Sequence, residues 1–148
     1  MSYSEREAAG SLITTLIVLV LFVWQLTGQY EAGHFNGPEA LQSWARAVLI
    51  LVAWSIGIAI LVSIGVNIGY RILTGEKPDE RRDERDRDIE RRALTWASYL
   101  LSFGLLGVII DLALGASAFR AMNIVLGLCA ASEIFKDMLK LWLYRRAA

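Results

Sequence analysis

The sequence predicts an all-α, polytopic membrane protein with four transmembrane helices in an antiparallel bundle, the third of which extends into the cytoplasm. Of its 148 residues, 55% are apolar, and its mean hydropathy is positive. The charged residues fall in clusters, separated by apolar runs of about 20 residues, the length of a bilayer-crossing helix. Residues 1–148 are therefore interpreted as one transmembrane domain. Its spans are predicted at about residues 8–27, 45–73, 93–114 and 120–144.

The first span ends near Trp24, an amphipathic side chain that favours the headgroup level of a bilayer. Its apolar part is longer than the roughly 7 to 15 residues of a signal-peptide core, and no small-x-small cleavage site follows, so we expect it to be retained. The loop after it contains His34, the only histidine in the chain. A metal site there would need acids such as Glu31 and Glu39, and a solvated histidine is the preferred interpretation.

The second span, residues 45–73, is long enough to tilt or to protrude from the bilayer. Within it, Gly65 and Gly69 form a Gly-x-x-x-Gly match, a pattern that lets two helix backbones approach closely. Packing inside the chain's own bundle is the preferred interpretation, and a dimer face is the alternative. Gly75 is expected to end the helix, because glycine tolerates the left-handed cap conformation.

Residues 79–92, called the charged segment below, contain seven acids and six arginines in fourteen positions. Pro78 fits a first helical turn, and neither Gly nor Pro follows before Phe103, so one helix is expected to run from the charged segment into the third span. Oppositely charged pairs four residues apart would each stabilise that helix by about 0.2 to 0.5 kcal/mol. These pairs are Arg82 with Asp86, Asp83 with Arg87, and Asp88 with Arg92.

The acids of the charged segment do not indicate a metal site. Carboxylates spaced three or four residues apart share a helix face, which is an arrangement that could bind a cation. The six intervening arginines already neutralise them, so no metal and no cofactor is predicted. The acids in question are Asp79, Asp83, Asp86 and Glu90.

The distribution of Lys and Arg predicts the orientation, because short cytoplasmic loops carry an excess of both. With four spans, one side holds thirteen of the fifteen and the other holds only Arg46 and Arg120. Both termini and the charged segment are therefore predicted to be cytoplasmic, in a multi-pass protein of the bacterial inner (plasma) membrane.

The fourth span becomes amphipathic and carries a stripe of four charges on one helix face. These are Glu133, Lys136, Asp137 and Lys140. Glu133 lies about 10 Å deeper along the axis than Lys140, a depth at which a bare carboxylate is costly. Lys136, one turn further along, is the nearest partner of Glu133 in sequence. The preferred interpretation is a clasp to the third helix, with Arg91 and Arg92 reaching the level of Asp137 and Lys140. The alternative is proton or cation handling.

The motif Asp83-Glu84-Arg85-Asp86, with Ile89-Glu90 after it, resembles a family of small, uncharacterised bacterial and archaeal membrane proteins. Members carry this signature just before the third of four spans and often end in a basic tail like Leu143-Tyr144-Arg145-Arg146. Some are encoded beside small helix-turn-helix regulators, which implies a signalling or regulatory setting. The resemblance implies no activity, and it marks Asp83, Glu84, Arg85 and Asp86 as a motif of unknown role.

The sequence favours a non-enzymatic regulatory or interaction protein. The chain lacks a Ser, Cys or His constellation for nucleophilic catalysis and a glycine-rich phosphate loop. Its acids cancel the field that direct nucleic-acid binding needs. Besides membrane lipid, the expected partner is another protein, a second copy in a dimer, or a larger membrane complex. The residues expected to bind it are Asp83, Glu84, Arg85, Asp86, Arg87 and Glu90.

The alternative from another functional class is a small proton-coupled transporter or exporter that uses Glu133. Four spans and one intramembrane carboxylate are compatible with such a protein.

Overall fold

A computed structural model of the chain describes residues 3–75 and 84–146. These residues form four α-helices and contain no strand. The prediction of an all-α fold with four helices is confirmed. The predicted helix start at Pro78 and residues 79–83 of the charged segment lie outside the described residues. The helices are α1 (Tyr3–Glu31), α2 (Ala40–Thr74), α3 (Glu84–Ala113) and α4 (Ala118–Arg146).

All four helices are long and apolar enough to cross a membrane. Large apolar side chains lie exposed along them, including Trp54 and Phe103, which are 68% and 72% exposed. Contiguous apolar surface of this kind is rare on a protein dissolved in water and ordinary on one dissolved in lipid. The architecture is that of a multi-pass membrane protein.

Glycines in the left-handed conformation end α2 and turn the chain after α3. Gly75 has φ +69°, and its N–H donates to the carbonyl oxygen of Arg71 at 3.0 Å, so α2 ends where the sequence predicts. Gly115 has φ +95°, and its N–H donates to the Leu112 carbonyl oxygen at 3.0 Å. Only four residues, 114–117, separate α3 from α4, so the two helices are neighbours.

The helices pack in the order α2, α1, α4, α3, with a small direct contact between α2 and α4. The start of α1 meets the end of α2, where the guanidinium carbon of Arg6 lies 3.6 Å from the centroid of the Tyr70 ring. The end of α1 meets the start of α4, where Tyr30 and Phe119 have ring centroids 6.4 Å apart. Both central helices, α1 and α4, are therefore covered on two sides.

The contact between α3 and α4 is the closest in the bundle, because small residues face it. Ala93 and Ala97 of α3 are buried, and the Ser132 hydroxyl of α4 donates to the Ala97 carbonyl oxygen at 3.1 Å. A methyl group added at Gly104 would lie 2.9 Å from Cδ1 of Leu128, which is closer than real Cβ atoms approach other atoms. Small residues at such contacts let helices pack tightly in lipid, where no hydrophobic effect drives them together.

An aromatic cluster closes the opposite end of the bundle from the charged segment. Phe35, in the loop between α1 and α2, and Trp44, near the start of α2, are buried and pack against Phe119 of α4. The ring centroid of Phe119 lies 5.8 Å from that of Phe35 and 6.3 Å from that of Trp44. The Trp44 indole N–H donates to Oδ1 of Asn123 at 3.1 Å, so its polar group is satisfied.

The preferred interpretation of Gly65 and Gly69, packing within this chain, is corrected by the structure. A Cβ added at either glycine would have no described atom within 4 Å outside the local helix backbone. By contrast, a Cβ added at Gly10 of α1 would lie 3.7 Å from Cγ2 of Val66 of α2. The Gly-x-x-x-Gly match therefore does not bring two helices of one chain together.

Candidate functional site

One face of the charged segment is bound to the end of α4. Asp86 and Ile89 are buried there. The Tyr144 hydroxyl donates to Oδ1 of Asp86 at 2.9 Å, and Nζ of Lys140 donates to Oε1 of Glu90 at 3.4 Å. Two acids of α3 thus hold the segment against α4 through an aromatic hydroxyl and a lysine. We call this pair of contacts the α3–α4 clasp.

The other face of the charged segment is exposed and rich in arginine. The described part of the segment turns four arginines and two acids away from α4, because Asp86 and Glu90 point toward it. Within this outward face, Arg92 pairs with Asp88 at 2.8 Å, as the sequence predicts. Residues 84–92, with four arginines and four acids, therefore present an outward face with excess positive charge. The outward face consists of Glu84, Arg85, Arg87, Asp88, Arg91 and Arg92.

Two other predicted ion pairs, Arg82 with Asp86 and Asp83 with Arg87, each include a residue outside the described ranges. Asp86 accepts a hydrogen bond from the Tyr144 hydroxyl. Of the motif expected to bind a partner, Glu84, Arg85 and Arg87 lie on the outward face, whereas Asp86 and Glu90 belong to the clasp.

The prediction that Glu133 clasps α4 to α3 is corrected. Its carboxylate is exposed and pairs with Lys136, one turn further along the same helix. Arg91 and Arg92 do not reach α4 at the level of Asp137 as expected. Arg91 points outward, and Arg92 pairs with Asp88. The residues that join the two helices are those of the α3–α4 clasp, with Ser132 about two turns deeper than Lys140.

Asp137 is the most deeply buried charged side chain in the described part of the chain, with 1% of its surface exposed. It lies on α4 where that helix packs against α1, and the Ser11 side chain of α1 faces it. Within the described residues, neither carboxylate oxygen has a partner at hydrogen-bond geometry. An ionised carboxylate in such a place costs several kcal/mol. The two lysines beside it on α4, Lys136 and Lys140, bond to Glu133 and Glu90.

Two of the cavities along α1 bear on the candidate site. The first, of about 270 Å³, lies between α1 and α2 and is lined mainly by polar side chains; we call it the vestibule. The second, of about 540 Å³, lies between α1, α2 and α4 and is mostly apolar. Glu133 and Asn123 are among the few polar groups of the apolar cavity. Thr14 and Thr15 line both cavities.

The remaining ionisable residues that the sequence analysis considered lie apart from the α3–α4 clasp and from Asp137. Asp111, near the end of α3, pairs with Arg120 near the start of α4 at 3.2 Å. His34 is exposed in the loop between α1 and α2. Nowhere in residues 3–75 or 84–146 do three His, Cys, Asp or Glu side chains gather as a metal site would require.

Sequence reasoning missed Ser11 and the role of Tyr144. Ser11 looks like a small interruption in an apolar run, and only the packing of α1 against α4 brings it to Asp137. Tyr144 was noted as part of a basic tail, but no local pattern pairs it with Asp86, 58 residues away.

No protein-family model, curated protein or solved structure matches this chain.

Proposed function

We propose that this is a non-enzymatic interaction protein of the bacterial inner membrane. Its four helices form an antiparallel transmembrane bundle, and its charged segment binds another protein or a second copy at the cytoplasmic surface. One observation carries the proposal: the outward face of residues 84–92 is held by the α3–α4 clasp and leaves four arginines and two acids accessible.

The clasp supports this function because it orders the charged residues before a partner arrives. Long arginine side chains on a loose segment would lose conformational freedom on binding, and a preorganised surface reduces that cost. Charges of both signs favour a partner of matching pattern and exclude others, which gives specificity more than affinity. A surface serving only to orient the protein would not need acids among its arginines.

Two observations support the orientation. Contacts between packed helices join the start of one to the end of the other, as in the pairs Tyr144 with Asp86 and Arg6 with Tyr70. Four antiparallel spans would bring both termini and the charged segment to the same side. That side holds thirteen of the fifteen lysines and arginines, the excess typical of a cytoplasmic surface.

The proposal is tested by site-specific photo-crosslinking in native membranes. A photoreactive residue at Arg87, on the outward face, should give one discrete adduct, either twice the mass of the chain or its mass plus that of a partner. The matched control is the same residue at Leu114, which is also exposed but lies in the turn at the other end of α3. An adduct pattern at Arg87 no different from that at Leu114 would contradict the proposal.

The position of Glu133 favours a second candidate function. Its carboxylate lines the apolar cavity between α1, α2 and α4, as a carboxylate in a small proton-coupled transporter would. Its pairing with Lys136 weakens this candidate, because the lysine already neutralises the charge. In vesicles containing the purified protein, Glu133→Gln should abolish proton-coupled substrate movement if this function holds. If the variant leaves such movement unchanged, transport through Glu133 is excluded.

A further inference from the structure

We propose that Asp137 is a proton-binding site inside the bundle, supplied through the vestibule and the hydroxyl of Ser11. The site lies between α1 and α4, away from the outward face of α3, and does not depend on partner binding there.

The burial of Asp137 favours its neutral form. A charge sealed from water and lacking donors is strongly disfavoured relative to the uncharged acid. A protonated carboxyl group has one O–H to donate and oxygens that accept, so a single hydroxyl such as that of Ser11 can pair with it. The packing of α1 against α4 therefore selects the protonated acid, and releasing the proton requires water or movement of α1.

The nearby lysines do not neutralise the Asp137 carboxylate in place of a bound proton. Lys136 bonds to Glu133 and Lys140 bonds to Glu90, so both lysines are already matched to other carboxylates. Toward α1, the hydrogen-bonding group that faces Asp137 is uncharged. The charged side chains at this end of the three packed helices are Glu133, Lys136 and Lys140 on α4, Asp86 and Glu90 on α3, and Arg6 and Glu7 on α1.

The vestibule provides a route for protons because it is polar and large enough for water. Its volume of about 270 Å³ exceeds the roughly 30 Å³ that one water molecule occupies in the liquid several times over. The polar side chains that line it include Arg6, Glu7, Ser11, Thr14, Ser63 and Asn67. Ser11 both lines the vestibule and faces Asp137, so its side chain lies between the two.

The proposed proton transfer through Ser11 leaves its hydroxyl group unchanged. A hydrated proton in the vestibule passes to Oγ of Ser11 as the existing O–H proton of Ser11 passes to the Asp137 carboxylate. One O–H bond of the hydrated proton breaks, one forms on the carboxylate, and Ser11 ends with the hydroxyl it began with. The net change is one proton bound to Asp137, and the reverse sequence releases it.

Infrared difference spectroscopy of the reconstituted chain tests the site. Acid minus alkaline spectra should show the C=O stretch of a protonated, desolvated carboxyl group. The band should be lost in Asp137→Asn, whose side chain has nearly the same shape as the protonated acid. It should persist in Glu133→Gln and in Asp86→Asn, which removes the other buried aspartate. A band that survives in Asp137→Asn, or its absence from the wild-type chain throughout the titration, would overturn the proposal.

Two further measurements keep the test decisive if Asp137→Asn does not fold. Carbon-13 labelling of aspartate should shift the band in the wild-type chain, and an unshifted band would assign it to a glutamate and refute the site. In pH-jump experiments, Ser11→Ala should slow the appearance of the band, whereas Ser11→Thr, which keeps the hydroxyl, should restore the rate. Equal rates in all three chains would refute the relay through Ser11.

Discussion

Removing one hydroxyl group from the α3–α4 clasp should loosen the charged segment. In Tyr144→Phe the aromatic ring stays in place and only the donor to Oδ1 of Asp86 is lost, at a contact where both residues are buried. A hydrogen bond to a charged group contributes about 1.5 to 3 kcal/mol. A loss near 2 kcal/mol would raise the open fraction of the clasp by roughly thirtyfold.

Hydrogen exchange measures this opening directly. In detergent-solubilised protein, the backbone amides of residues 86–92 should exchange faster in Tyr144→Phe, and the thermal midpoint should fall. The matched control is Tyr99→Phe, which removes the same atom from an exposed tyrosine whose ring contacts Trp96. If both variants exchange and unfold alike, the Tyr144 hydroxyl does not hold α3 to α4, and the reasoning about a preorganised surface fails.

Two further substitutions test the packing that positions the clasp. Gly104→Ala should destabilise the bundle by about 1 to 3 kcal/mol, because the added methyl group displaces Leu128. Gly107→Ala, where the Cβ meets open space, should not lower the thermal midpoint, because alanine favours the helix. Asn123→Ala should cost about 1 to 3 kcal/mol in thermal unfolding, because it leaves the buried indole N–H of Trp44 without its acceptor. Wild-type midpoints in Gly104→Ala or Asn123→Ala would contradict the corresponding contact.

The sequence predicted what local patterns determine. The length of the apolar runs predicted four helices that could span a membrane, and Gly75 predicted the end of α2. The four-residue spacing of Asp88 and Arg92 predicted their ion pair. Each of these depends on residues close together in the chain, whose geometry a helix fixes.

The candidate site was harder to predict because it depends on how helices face one another. The depth of Glu133 along α4 drew attention to it, but the packing of α1 against α4 buries Asp137, four residues further along, and leaves Glu133 exposed beside the apolar cavity. Charge counting likewise described residues 79–92 as nearly balanced. Only the docking of α3 on α4 shows that Asp86 and Glu90 face inward and that arginines dominate the outward face.

The central claim is that this membrane bundle presents its charged segment at the cytoplasmic surface, and cysteine accessibility tests it most directly. In a Cys129→Ala background, single cysteines are placed at Arg87, on the outward face of α3, and at His34, in the exposed loop between α1 and α2. With a membrane-impermeant thiol reagent, intact cells should label only the cysteine at position 34, and inverted vesicles only the one at position 87. Labelling of both from the same side, or the reverse pattern, would contradict the account.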